Sequence, residues 1–202
     1  MSDYQSEQLE TLSKVRLHLH SISHGEKDHL RALCGDYLEF RRQVDLFLEK
    51  HFSRVCDHSC YRSQLSACCS REGIVTFFAD VVINVLFSEE AEIEALAKAL
   101  ATANNGFKCI YLDKRGCLWR VKPVVCQLFL CEPAKAKAFG ARPALEAEWL
   151  ELERRRKQVT WPDRPVLFDA IEAHFIAAGC VSPLMYLHNS PGLLRVKRQA
   201  GI

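Results

Sequence analysis

Ten cysteines stand in a chain of 202 residues, and eight of them fall into two groups of four. The first group is Cys56-x3-Cys60-x7-Cys68-Cys69, and the second is Cys109-x7-Cys117-x8-Cys126-x4-Cys131. No other feature constrains the fold as strongly. A soft thiolate binds Zn²⁺ or iron, and four such sulfurs satisfy one tetrahedral zinc or one four-iron cluster. Eight supply two sites, or one site with spares. Adjacent Cys68 and Cys69 point opposite ways if the backbone is extended, so one of them is able to serve each of two sites. Packing alone and disulfide pairing are the competing explanations. Packing is disfavoured because loops and hairpin ends are poor places to bury a thiol. Disulfides are disfavoured in a reducing compartment.

The compartment follows from the N-terminus. Met1 to Glu10 is polar and acidic, with neither a basic stretch nor an apolar one, so no secretory signal is read there and a cytoplasmic protein is expected. The longest apolar run, Ile74 to Phe87, is interrupted by Thr76, Asp80 and Asn84 and is too short and polar to span a bilayer. No membrane partner is expected. The 27 basic and 25 acidic residues leave a net charge of +2, which gives no strong nucleic-acid signal.

Apolar spacing predicts a mainly α fold, a single compact helical domain with a small β-hairpin and a cysteine-rich metal-binding loop region. Within the one unit, 1–202, residues 1–55 form N-terminal helices, 56–131 the cysteine core, and 132–202 C-terminal helices and a tail. The expected helices run from Ser6 to His20, from about Glu26 to Phe52, from after Gly73 to about Phe87, and from an N-cap at Ser88 to about Ala103. Asn104-Asn105-Gly106 ends the last of these. Cys109 to Leu112 and Cys117 to Val121 flank Asp113-Lys114-Arg115-Gly116 and read as a hairpin. Pro123 opens a short helix at its N1 position. Pro133 and Gly140 punctuate the chain. Helices follow over Pro143–Gln158 and Asp163–Ala178, the latter stopped by Gly179. From Val181 on, no period is evident.

The candidate metal ligands are Cys56, Cys60, Cys68, Cys69, Cys109, Cys117, Cys126 and Cys131. The absence of any Cys-x2-Cys argues against the usual zinc-finger spacings and against the bacterial ferredoxin run. The metal, zinc or an iron–sulfur cluster, is left open by spacing. His58 is a further ligand candidate inside the first group. Cys34 and Cys180 lie apart and read as small buried hydrophobes. Asp80 and Asn84, four apart on one helix face, are either neighbours of the cluster or a polar helix edge. Tyr111, Asp113 and Lys122 flank the second group, where Lys122 either donates to thiolate sulfur or is solvated. The run Arg154-Arg155-Arg156-Lys157 complements a helix C-terminus. No hydrolase constellation, nucleotide-binding glycine loop or Cys-x3-Cys-x2-Cys run is present.

The order of these motifs resembles the YkgJ-like cysteine-cluster family. The matching features are Cys56-x3-Cys60, the Cys68-Cys69 pair followed by Glu72-Gly73-Ile74, Gly116-Cys117-Leu118-Trp119, and Lys122-Pro123-x2-Cys126 with Phe129 and Cys131. The resemblance covers about residues 56 to 131 and implies a zinc- or iron-chelating protein with a structural, redox or metal-handling role. A similar motif in flagellin lysine methylases implies an alternative: an iron–sulfur-dependent enzyme acting on a protein partner by group transfer. The residues show no reaction, so the expectation leans away from an enzyme.

Overall fold

The computed structural model describes residues 3–57, 75–104, 109–114, 116–160 and 166–185. Among them are nine helices and one two-stranded antiparallel sheet, so the expected fold class is present.

The organising element is the helix Phe78–Phe87 (α4), which buries eight of its ten residues. A helix apolar on almost every side must sit at the centre of the molecule. Around it pack Asp3–Ser21 (α1), His24–Leu33 (α2) and Leu167–Ala177 (α9). Glu90–Ala101 (α5) lies against α1, and Gly35–Cys56 (α3) against Glu132–Phe139 (α7). Pro143–Thr160 (α8) covers α9 and α7. One aromatic knot joins α3, α7 and α8. In it Phe47 stacks on Trp149 at 5.5 Å between centroids, and Phe52 meets Phe139 edge-on, also at 5.5 Å.

The buried face of α1 is only partly apolar. Gln5, Gln8 and Thr11 are buried along with Leu12, Val15 and Leu19. Buried amides and hydroxyls require partners. Gln5 Nε2 donates to the Leu100 and Thr102 carbonyls at the end of α5 (2.9 and 2.7 Å). Gln8 donates to the Thr76 hydroxyl. Thr11 Oγ1 pairs with Ser182 Oγ at 2.6 Å. Residues 180–185 therefore return along α1, and the Leu184 carbonyl accepts the Phe78 N–H at 3.1 Å where α4 begins.

The helix expected over Glu26–Phe52 is two helices, broken at Cys34. That residue closes α2 with a short N–H bond to the Arg31 carbonyl (3.0 Å), and Gly35 and Asp36 open α3. The apolar positions Leu30, Cys34 and Tyr37 keep a helical spacing across the junction, so periodicity conceals it. At its other end α2 starts at His24, two residues earlier than expected, with a capping box. Ser23 Oγ accepts the Glu26 N–H (3.2 Å), and Glu26 Oε2 accepts the Ser23 N–H (3.0 Å). Replacing Ser23 with Ala is expected to lower stability by about 1 kcal/mol, read as a lower denaturant midpoint at unchanged slope.

Several boundaries also differ from expectation. α4 starts at Phe78, after extended residues 75–77. Glu89, not Ser88, caps α5, with its N–H donated to Glu92 Oε2 at 2.8 Å. Pro123 is the N-cap of the four-residue helix Val124–Gln127 (α6) and not its N1 residue. Pro133 does not interrupt the chain. It sits in the first turn of α7, where a missing N–H costs nothing. The hairpin is shorter than expected. Its strands are Leu112–Asp113 (β1) and Gly116–Cys117 (β2), pairing Leu112 with Cys117 and Asp113 with Gly116. Gly116 has φ of +122°, a conformation that favours glycine and closes the tight turn. α5 ends at Ala101 with Thr102 as its C-cap, two residues before the expected Ala103, while Asn105 and Gly106, the start of the last helix at Asp163, and the tail after Met185 lie outside the described residues.

Candidate metal centre

The second cysteine group is carried by a segment that three buried polar side chains hold by its backbone. Asn84 Oδ1 on α4 accepts the Val121 N–H at 3.0 Å. Arg41 on α3 donates to the Lys122 carbonyl at 2.5 Å and to the Tyr37 hydroxyl at 2.6 Å. Asp80 on α4 accepts the Val124 N–H with Oδ1 and the Phe77 N–H with Oδ2, both at 3.0 Å. A fourth tie joins Gln127 of α6 to Asp45 of α3. Val121 to Val124 has no ladder of its own, so its buried N–H and C=O groups need these side chains. Asp80 and Asn84 are thus neither a polar helix edge nor, among their hydrogen bonds, partners of cysteine sulfur. Each is 2% exposed and serves the backbone that leads into Cys126. Burial holds the Asp80 carboxyl up at about 6, although both N–H donors and the Arg41 charge pull the other way.

At the base of the hairpin the Tyr111 N–H points at Cys109 Sγ, 3.4 Å away. The Tyr111 ring is buried and packs edge-on against Trp119 at 5.4 Å. Its hydroxyl meets that of Tyr4, from the first turn of α1, at 3.3 Å. Burial keeps both phenols well above their usual range, and negative charge on Cys109 or Cys126 raises both further. Cys126 lies 17 residues after Cys109, half-buried in α6 just beyond the clamped segment. The Thr76 hydroxyl receives Gln8 of α1, the helix that also carries Tyr4. Trp119 contributes a buried indole N–H with no acceptor. Orphaned donors of this kind are rare in folded proteins.

The other expected ligands lie on several elements. Cys117 is exposed on β2. Cys131 is half-buried at the N-cap of α7, where its carbonyl accepts the Ala134 and Lys135 N–H groups at 3.0 Å. Cys56 is the last residue of α3 and not part of a loop. At 1.5 Å per residue it lies about 16 Å along the axis from Asp45, the partner of Gln127. Cys60, Cys68, Cys69 and His58 lie outside the described residues. Among the described residues, which hold five of the eight expected thiols, no set of three or more His, Cys, Asp or Glu side chains is arranged to hold a metal ion.

The remaining sequence candidates have ordinary surroundings. Cys34 is fully buried, its thiol donates to the Leu30 carbonyl at 3.2 Å, and burial pushes its pKa up to about 11. Burial likewise raises the half-buried Cys180 thiol. Lys122 is exposed and contributes its carbonyl to the clamp. In the basic run, Arg154 forms a fork with Glu151 (2.7 and 2.6 Å), while Arg155 reaches Gln43 Oε1 at 2.6 Å and lies over the Phe40 ring. Arg41 and Gln127, which sequence patterns did not single out, are the additional residues that position this site. No helix among the described residues is long and apolar enough to cross a membrane. The chain matches no family model, no curated protein and no solved structure.

Proposed function

We propose that this is a metal-binding protein in which Cys109 and Cys126 are the anchoring thiolates of a zinc ion or an iron–sulfur cluster. The remaining sulfurs come from the first cysteine group, foremost Cys68 and Cys69. The observation that carries this reading is the buried Tyr111 N–H aimed at the half-buried Cys109 Sγ, with half-buried Cys126 on the segment that Asp80, Asn84 and Arg41 clamp. Cys69 precedes Thr76 by seven residues, a length of chain that reaches up to about 24 Å, so the first group is tethered within range. The donor chemistry fits. Two soft sulfurs lie half-buried, a backbone N–H is aimed at one of them, and a buried indole N–H nearby lacks an acceptor. N–H donors of this kind offset the charge of metal-bound thiolates. The YkgJ-like resemblance of residues 56–131 supports the same reading. The bound metal would supply folding free energy by joining the first cysteine group to the hairpin and α6, which is a scaffolding role.

A Cys→Ser series tests this. Metal per chain, measured on protein purified without oxygen, is expected to fall to a small fraction in Cys109→Ser, Cys126→Ser and the Cys68→Ser/Cys69→Ser pair. It is expected to stay at the wild-type value in Cys180→Ser. Full metal in both Cys109→Ser and Cys126→Ser refutes the assignment, as does its loss in Cys180→Ser.

A further inference from the structure

Away from the thiols, α1 and α9 bring two imidazoles into contact. Nε2 of His18 lies 3.1 Å from Nε2 of His174, with the rings edge-on at 5.2 Å between centroids. Phe175 packs against both, at 4.4 and 5.6 Å. Neither imidazole has another hydrogen-bond partner among the described residues. Two imidazole nitrogens on one ion, each at the usual ~2.0–2.1 Å, stand roughly 2.9–3.4 Å apart in octahedral or tetrahedral geometry. The observed separation lies inside that interval.

We propose that His18 and His174 form a two-nitrogen site for a divalent cation of the zinc class, with water as the remaining donors. Imidazole is the commonest protein ligand for such ions, and a bound ion there would fasten α1 to α9. The site rests on nitrogen geometry and is separate from the thiolate centre.

The test uses the full chain carrying its own complement of thiol-bound metal. Zn²⁺ is titrated while calorimetry counts sites and NMR follows the imidazole nitrogens. One further equivalent is expected, with resonance shifts confined to the His18 and His174 rings. His18→Gln or His174→Gln is expected to weaken that binding by at least ~10-fold, and Cys109→Ser is expected to leave it intact. The proposal is overturned if Zn²⁺ leaves both wild-type rings unmoved, a measurement that needs no variant to fold. It is equally overturned if His174→Gln binds as tightly as wild type, or if the extra equivalent disappears in Cys109→Ser.

Discussion

Replacing Asp80 with Ala is expected to lower the stability of the protein by about 3 kcal/mol at neutral pH. The change strips the acceptor from the buried Val124 N–H and from the Phe77 N–H at once. Each buried donor left without a partner costs roughly 1–3 kcal/mol. The loss also leaves the buried Arg41 without the carboxylate whose charge it faces. For a chain of this length the melting temperature should drop by roughly 6–12 °C. A pH signature separates this role from mere packing. The folded-state pKa of Asp80 is raised to about 6 from an ordinary 3.8, so the folded state binds the extra proton between those values. Wild-type stability attributable to this group therefore falls as pH rises from about 4 to about 6. Asp80→Asn, which keeps the shape, should lack that component of the slope. Parallel urea titrations of the two proteins across this range would show it. Identical pH slopes would mean that Asp80 is not buried as described.

Removing the proposed metal is expected to have the larger effect, confined to one part of the molecule. The helices around α4 bury a continuous apolar core through Phe78, Ile83, Leu96 and Phe175. They need no ligand to hold it, so the far-ultraviolet helical signal should survive. The hairpin has only two residues per strand, and the segment up to α6 depends on side-chain ties. Such short, local structure is marginal by itself. Stripping zinc with a chelator, or destroying a cluster with oxygen and a chelator, should speed amide exchange over 109–127 by at least ~100-fold while exchange in α4 changes little. Uniform acceleration across the chain, or none over 109–127, would contradict a local scaffold.

The parts of this fold that were legible in the sequence are those with one dominant local signal. The apolar run of α4, the Gly179 stop and the charged α8 could each be read from a few residues. Features that depend on tertiary partners could not. The break at Cys34 is invisible to periodicity because Leu30, Cys34 and Tyr37 all face the core. The polar half of the buried α1 face depends on carbonyls of α5 and a hydroxyl more than 160 residues away. Asp80 and Asn84 were legible as a pair on one face, yet not as acceptors for a strand-like segment about 40 residues later. Arg41 carried no motif at all. Of the site, composition and spacing picked out the cysteines, but spacing alone could not sort them. The backbone N–H aimed at Cys109 and the side-chain clamp on the segment leading into Cys126 depend on tertiary partners that spacing does not show.

Elemental and sulfide analysis of the protein purified without oxygen tests the central claim most directly. A thiolate centre anchored by Cys109 and Cys126 predicts either about one zinc per chain and no colour, or about two to four iron with matching labile sulfide and visible absorbance. Protein that is folded, fully reduced and devoid of zinc, iron and sulfide would contradict it.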